Sequence, residues 1–237
     1  MSIPKRIYVT WKDKNILETD YDLIINGVKN LKLLNPTWNV EVSDDGDVSY
    51  YLKNHLIAKD YNLVKDIGIV AKSDIWRLLK IYYEGGLYVD IDRYCNKILD
   101  NEIPNNIKWV LPVCDYLDFS QDIMCSESYN PAFQYAISFY FNRRYAGSNN
   151  IYFLGAQTYM HAITYTLLNS MVDSNPGKEK FQNILKIINE YNFIKTYVEQ
   201  IPNDTFLYKG DMDFDIWKGH KKDLYKAYNL KHWSGEW

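Results

Sequence analysis

Four ionisable residues stand at close spacing within residues 69–94, which read IVAKSDIWRLLKIYYEGGLYVDIDRY. Asp90 and Asp92 end a short apolar run, and Asp74 and Arg77 lie three positions apart in the segment before it. Carboxylate oxygens are the ligands that hard divalent cations prefer. Asp90 and Asp92 could therefore share one cation, or one of them could ligate the metal while the other holds a ligand.

Asp74 and Arg77 have two readings. Residues three apart face the same way on a helix, so the pair could be a surface ion pair of little energetic value. It could equally be a hydrogen-bonding pair aimed at the cleft that holds Asp90 and Asp92. We favour the second interpretation, because Asp90 and Asp92 follow the pair closely in the sequence.

The residues around these four predict the elements that position them. The i, i+3, i+4, i+7 spacing of an amphipathic helix is met by Ile75, Leu78, Leu79 and Tyr82. Gly85-Gly86 can end that helix, because glycine takes the left-handed conformation of a C-cap. An alternating run then predicts a strand whose polar face carries Tyr88, Asp90 and Asp92.

The remainder of the chain predicts an α/β fold, because strand and helix patterns alternate along it. Predicted strands are Arg6–Thr10, Trp38–Val42, Lys108–Pro112, Ile123–Ser126 and Asp204–Lys209. Predicted helices are Tyr21–Leu34, Val48–His55, Ala132–Phe141, a long helix starting at Gly155, and Lys178–Glu199, while Ser43–Asp47 reads as a solvated turn. Thr10 and Trp11 follow the first strand, at the edge where open α/β sheets bind ligands. Trp11 fits a core position equally well.

Composition narrows the class of partner and compartment. The chain has 237 residues, 27 basic and 30 acidic, without a long basic run, which argues against nucleic acid. Its 22 tyrosines serve either a tyrosine-rich core or the binding of a polyhydroxylated ligand. Three cysteines without a CxxC motif indicate free thiols. Neither a signal peptide nor a run of about 20 apolar residues is present, so we expect a soluble, cytoplasmic protein without a membrane span, or a soluble domain of a longer one.

Four pieces of the sequence resemble the DXD-containing glycosyltransferases of the Och-type mannosyltransferase and toxin-glucosyltransferase group. IPKRIYVTWK at residues 3–12 is similar to the opening IPKIIHQTWK of that group, and NPTW at residues 35–38 is similar to its NP-x-aromatic piece. Residues 71–92 resemble its signature A-x-x-D-x-x-R…GG-x-Y-x-D-x-D, and the closing HWSGEW resembles its C-terminal element. Soluble members of the group occur in bacteria and large DNA viruses.

The resemblance implies a GT-A fold, which is an α/β/α nucleotide-binding sheet, formed by residues 1–237 as a single domain. It implies that Asp92 ligates Mn²⁺ or Mg²⁺, and that Asp90 binds the metal, directly or through water, or else the ribose or the donor sugar. It implies that His232 closes over the metal or the diphosphate, and that Asp74 and Arg77 hold hydroxyls of the donor sugar. Further donor-site residues implied by it are Tyr8, Thr10, Trp11, Tyr88, Ser234 and Trp237. The expected reaction is a retaining transfer of a hexose from a nucleotide-sugar, UDP-sugar before GDP-sugar, to a glycan or glycoprotein acceptor.

The resemblance is incomplete at two places. Tyr8-Val9 stands where the group often has His-Gln, and Gly155-Ala156 stands where it often has Gly-Pro. These departures leave the choice of base and the acceptor contacts open.

Two rival functions belong to other classes. LYVDID also resembles the strand of haloacid-dehalogenase-like phosphatases, in which the first aspartate is the nucleophile. That motif normally lies near the N-terminus and has Thr or Val where this chain has Tyr94. The other rival is a sugar-nucleotide or glycan-binding module without turnover, against which the complete set of Asp74, Arg77 and DXD aspartates argues.

Overall fold

A computed structural model describes residues 3–93, 97–103, 105–113, 121–172, 205–209, 226 and 228–229. Several predictions fall outside these residues: the helix Lys178–Glu199, Cys95, Cys114, and the tail with His232, Ser234 and Trp237. Among the described residues, no helix is both long enough and apolar enough to cross a bilayer.

The described strands form one six-stranded mixed sheet, which confirms the predicted α/β class. The strands are β1 (Arg6–Thr10), β2 (Asn39–Ser43), β3 (Gly86–Val89), β4 (Trp109–Val113), β5 (Ile123–Ser126) and β6 (Thr205–Lys209). Their order is β2-β1-β3-β5-β4-β6. β5 runs antiparallel to both of its neighbours, whereas the pairs β1–β2, β1–β3 and β4–β6 are parallel.

Eight α-helices are described around this sheet. They are α1 (Asp22–Leu34), α2 (Asp45–His55), α3 (Ala58–Val64), α4 (Ile69–Glu84), α5 (Leu99–Glu102), α6 (Pro131–Tyr145), α7 (Ile151–Leu154) and α8 (Ala156–Val172). The sequence did not predict α3, α5 or α7. It predicted α6 four residues too short at its carboxyl end, because Arg143 and Arg144 read as a solvated helix end rather than as part of the last turn.

Both faces of the sheet carry an apolar core. One core gathers side chains of α2, α4, α6 and α8 against the sheet face that includes Tyr8, Tyr88 and Met124. The other packs residues of α1 and α5 against the opposite face, which includes Ile7 and Leu87. Strands buried on both faces are the usual signature of a sheet covered by helices on each side. The arrangement is the predicted α/β/α sandwich.

The predicted turn at residues 43–47 was wrong. Helix α2 begins at Asp45, because Asp44 and Asp47 form a capping box in which each carboxylate accepts the other residue's backbone N–H. Such reciprocal bonds satisfy two of the donors that a helix start leaves open. The sequence pattern did not indicate that the helix starts here, because Gly46 lies in its first turn and glycine disfavours helix.

Gly85 and Gly86 turn the chain from α4 into β3, as predicted. Both have positive φ, at 64° and 107°. A Cβ on Gly86 would lie 2.7 Å from the carbonyl oxygen of Arg6 on the neighbouring strand. Glycine is therefore needed here for both conformation and space, and the turn brings α4 and β3 to the same edge of the sheet.

Candidate active site

The polar side of α4 reaches the carboxyl edge of the sheet through Asp74 and Arg77. Both side chains are nearly buried, at 7% and 8% exposure, and the Arg77 guanidinium donates to Asp74 Oδ1. This burial rules out the alternative of a weak surface ion pair. An ion pair so far removed from water depends on its remaining partners to offset the cost of desolvation.

Asp90 supplies the next of those partners. Its Oδ1 accepts from Arg77 at 3.0 Å and from the Tyr88 hydroxyl at 2.5 Å. The guanidinium carbon of Arg77 also lies 4.9 Å from the centre of the Tyr88 ring. Asp74, Arg77, Tyr88 and Asp90, which we call the Arg77 cluster, thus join helix α4 to the end of strand β3.

The two DXD aspartates stand in a turn and not on the strand that the alternation predicted. β3 ends at Val89, and the N–H of Arg93 donates to the carbonyl of Asp90 at 2.9 Å. The N–H of Asp90 in turn donates to the carbonyl of Asp122, just before β5. Asp122 accepts from Arg93 through its carboxylate as well. The turn is therefore fastened to a segment about 30 residues away in sequence, and Asp92 is 6% exposed within it.

Burial dominates the electrostatics of this edge. Burial raises the pKa of Asp74 to about 6, and Arg77 acts in the opposite direction. Burial raises the pKa of Tyr88 well above its usual range, so the phenol keeps its proton and can donate to Asp90. Burial also raises the pKa of Asp122, although the Arg93 charge opposes the shift. Shifts of this kind concentrate at functional sites.

Gln121 and Gly155 complete the wall around Asp74. The Gln121 carbonyl accepts from Arg77 at 3.2 Å. An added Cβ on Gly155, just before α8, would lie 2.6 Å from Asp74 Oδ2 and 3.2 Å from Gln121 Nε2. Neither residue was among the predicted site residues. Gly155 did show in the sequence as a glycine before a long helix, but Gln121 belongs to no local motif.

Thr10 and Trp11 lie at the carboxyl end of β1, as predicted. Thr10 is within hydrogen-bonding reach of the Tyr88 hydroxyl. Trp11 packs edge-on against Tyr21 with ring centres 5.5 Å apart, and among the described residues its indole nitrogen has no hydrogen-bond partner. Trp11 is thus half-buried, a position that fits either of the two predicted roles, a core residue or a ligand contact.

Tyr8 does not join this group. Its ring is fully buried under α4, and its hydroxyl donates to Glu84 at 3.3 Å. Lys80 lies 4.9 Å from the centre of the same ring. The side chain of Tyr8, which was predicted to line the donor site, thus faces a second polar cluster further along α4. His232, Ser234 and Trp237 lie outside the described residues.

Asp90 and Asp92 fit a divalent cation only together with further ligands. In the described part of the chain, no three His, Cys, Asp or Glu side chains come close enough together to hold a metal ion. Mg²⁺ in particular is often bound through one or two carboxylates together with substrate phosphates. Two all-oxygen side chains, one of them 27% exposed at the sheet edge, suit that mode of binding.

Comparison with known proteins agrees with this geometry. Residues 4–109 match the family described as "Glycosyltransferase sugar-binding region containing DXD motif". The match includes β1, α4, β3 and the DXD turn. Among curated proteins, none matches the chain.

Two solved structures resemble the fold. PaToxG Glycosyltransferase has 15% identity and a TM-score of 0.53, and the alignment covers 96% of this chain and 85% of that one. A transferase mutant has 12% identity and a TM-score of 0.40, with 77% of this chain and 92% of that one covered. At 15% identity the first likeness supports the fold alone.

Proposed function

We propose that this chain, a glycosyltransferase whose residues 4–109 belong to the family of sugar-binding regions containing a DXD motif, transfers a hexose from a nucleoside diphosphate to a glycan or glycoprotein. The proposed reaction is metal-dependent and retains the anomeric configuration. UDP-sugars are the favoured donors, with GDP-sugars as the alternative. We further propose that residues 1–237 act as a single GT-A domain.

One observation carries the proposal: the Arg77 cluster and the DXD turn converge at the carboxyl edge of the sheet. Arg77 touches Asp74 on its own helix and Asp90 at the end of β3. Ligands of open α/β sheets bind at this edge. Side chains able to bind hydroxyls thus lie next to two carboxylates suited to a cation, and this supports a sugar linked to a diphosphate as the ligand.

Each residue then has a distinct role. Asp92 and Asp90 would hold Mn²⁺ or Mg²⁺, and Asp74 and Arg77 would bind hydroxyls of the donor sugar. Bound there, the cation would neutralise the charge of the diphosphate leaving group as a Lewis acid. Tyr88 positions Asp90 through its hydrogen bond and stays protonated because it is buried.

The remaining donor contacts lie at the strand end and in the tail. Thr10 and Trp11 would face the base and ribose, since both stand at the carboxyl end of β1. His232, Ser234 and Trp237 are proposed to close over the diphosphate, a role that rests on the resemblance of HWSGEW alone.

A thermal-shift screen tests the donor class. UDP- and GDP-sugars are added with Mn²⁺, with Mg²⁺ or with chelator, because a ligand that binds only the folded state raises the melting temperature. We expect a UDP-sugar with Mn²⁺ to give the largest shift and then to release UDP. Hydrolysis of a generic aryl phosphate without any nucleotide-sugar turnover would contradict the proposal, as would binding of nucleotide-sugars without release of nucleotide.

A further inference from the structure

The Gln121 carboxamide lies close to the Asp74 carboxylate, because both pack against Gly155. A single point, the position of a Cβ on Gly155, lies 2.6 Å from Asp74 Oδ2 and 3.2 Å from Gln121 Nε2. The Gln121 main chain is fixed there by Arg77, which donates to its carbonyl oxygen, and the next residue, Asp122, accepts from the N–H of Asp90. The carboxamide is therefore held at the wall of the Arg77 cluster.

Both groups have hydrogen-bonding capacity left over. Arg77 occupies Asp74 Oδ1, and within the described residues no side chain or backbone group donates to Asp74 Oδ2. The Gln121 carboxamide likewise has no hydrogen-bond partner among them. Asp74 as a whole residue is 5% exposed, and its side chain 7%. An anionic carboxylate oxygen accepts strong hydrogen bonds, so a ligand that donates to Oδ2 would gain from binding there.

A hydroxyl group matches this pair in chemical type. The carboxylate can only accept, while the amide nitrogen can only donate. A hydroxyl carries one proton to give and lone pairs that accept. It can donate to Asp74 Oδ2 and accept from Gln121 Nε2 at the same time, which neither an apolar group nor a second carboxylate can do.

We propose that Gln121, together with Asp74, binds one hydroxyl of the donor sugar and makes the enzyme selective for sugars that carry it. The inference rests on the proposed function and deepens it, because it adds a specificity residue that lies outside the DXD signature. A site built to hydrogen-bond a hydroxyl rejects the analogue that lacks it far more strongly than an apolar pocket does.

Asp74 and Gln121 both pack against Gly155. Its φ of −83° is negative, so a left-handed conformation is not what requires glycine here. The demand comes from space, since a methyl group there would contact both Asp74 and Gln121. The lack of a side chain at Gly155 therefore lets Asp74 and Gln121 keep their positions next to each other.

The test compares Gln121→Ala with the unmodified enzyme on the best donor and on its monodeoxy analogues, each lacking one ring hydroxyl. Loss of one hydrogen bond should lower kcat/KM for the parent donor about tenfold. For the analogue lacking the hydroxyl in question, the same substitution should change kcat/KM little, because the bond is already absent. For the other analogues the tenfold loss should persist.

Two further variants sharpen the result. Gln121→Glu replaces the donor by an acceptor next to Asp74, so it should reduce kcat/KM for the parent donor more than Gln121→Ala does. Gln134→Ala, at an exposed position of α6, is the matched control and should leave every donor unaffected. All variants keep the main-chain carbonyl that binds Arg77.

The outcomes distinguish failure of this inference about Gln121 from failure of the proposed glycosyltransferase function. If the unmodified enzyme releases no nucleotide from any nucleotide-sugar, the proposed function itself fails and the inference falls with it. If it releases nucleotide but Gln121→Ala lowers kcat/KM equally for the parent and every monodeoxy donor, or for none, Gln121 binds no sugar hydroxyl and only the inference is overturned.

Discussion

Helix α4 carries two buried cations one turn apart, and their surroundings differ. Arg77 belongs to the Arg77 cluster at the carboxyl edge of the sheet. Lys80 bonds to Glu84 at 2.8 Å and to Glu41 at 3.0 Å, and with the Tyr8 hydroxyl these form what we call the Lys80 cluster. The two cationic side chains are equally hidden, at 8% and 7% exposure.

The pKa values of Glu84 in the Lys80 cluster and of Asp74 in the Arg77 cluster shift in opposite directions. Burial acts to raise the pKa of Glu84, but hydrogen bonds from Lys80 and neighbouring phenols bring it below its ordinary value. Burial raises the pKa of Asp74 despite Arg77. Glu84 is thus satisfied by the protein itself, whereas Asp74 keeps an oxygen without a donor among the described residues. We interpret the Lys80 cluster as structural and propose that a ligand completes the Arg77 cluster.

Replacing Asp92 should have the largest effect on activity. Asp92→Ala removes a carboxylate that we assign to the cation, so metal-dependent release of UDP should fall at least about 100-fold, since charge neutralisation of a leaving group is worth several kcal/mol. Asp66→Ala, at an exposed position between α3 and α4, is the control. Circular dichroism should show both variants folded. Unchanged turnover in Asp92→Ala would contradict the assignment of Asp92 as a metal ligand.

The Arg77→Lys substitution tests whether the Arg77 cluster needs the several N–H donors of a planar guanidinium or only a positive charge. Arg77 contacts Asp74, Asp90 and the Gln121 carbonyl at once, which a lysine cannot reproduce. We expect kcat/KM to fall about 10- to 100-fold with the metal requirement retained. A variant with full activity would show that Arg77 holds no part of the donor.

Gly155→Ala tests the space beside Asp74. The new methyl group would push against Asp74 Oδ2, so we expect kcat/KM to fall about tenfold while the melting temperature changes by a few degrees. Gly68→Ala is the matched control, because nothing lies within 4 Å of an added Cβ there. Equal kinetics for the two variants would contradict the crowding at Asp74.

Lys80→Met should affect stability and leave the chemistry unchanged. The substitution leaves Glu84 with no cation at its side on α4, so unfolding free energy should drop by about 1–2 kcal/mol, a discounted value because Glu84 and Glu41 are partly exposed. Urea unfolding gives the stability and UDP release per folded molecule gives the activity. A selective loss of turnover would place Lys80 in the active site and erase the contrast between the clusters.

The last comparison of the two clusters is the pH dependence of stability in metal-free protein, in which activity takes no part. The pKa of Asp74 rises from 3.8 to about 6 on folding, so the folded state binds a proton that the unfolded chain has lost in that interval. Its contribution to stability is therefore present below about pH 4 and is lost as pH rises to about 6. Glu84 behaves oppositely: its contribution is present above its ordinary pKa of 4.5 and is lost on acidification.

Urea titrations between about pH 4 and pH 7 measure this difference directly. The stability of the unmodified protein minus that of Asp74→Asn should decrease as pH rises to about 6. The same difference taken against Glu84→Gln should increase as pH rises through the pKa of Glu84. A parallel response of the two variants would show that the clusters are electrostatically alike.

Local patterns predicted the elements that carry the site. Arg6–Thr10 and Ile123–Ser126 are strands with the predicted bounds, and α4 and Gly85-Gly86 occupy their predicted places. These features depend on periodicity and on glycine conformation, which neighbouring residues determine. The DXD aspartates could be found in the same way, because the residues of the motif are close together in the sequence.

Long-range contacts decided what the sequence could not predict. The strand pattern runs on to Asp92, but β3 ends at Val89, where the Arg93 N–H donates to the Asp90 carbonyl and closes a turn. The packing of α4 turns the Tyr8 ring toward Lys80. The antiparallel pairing of β5 with β3 brings Gln121 near Asp74. The last two features depend on residues more than 25 positions away.

Titration of UDP into the protein by calorimetry tests the central claim most directly, because it needs neither the acceptor nor the donor sugar. We predict that Mn²⁺ raises the affinity of the unmodified protein for UDP at least about tenfold over chelator, and that Asp92→Asn removes this gain while still binding UDP weakly. Equal affinity with Mn²⁺ and with chelator, or an undiminished gain in Asp92→Asn, would contradict the assignment of the DXD turn to a metal-bound diphosphate.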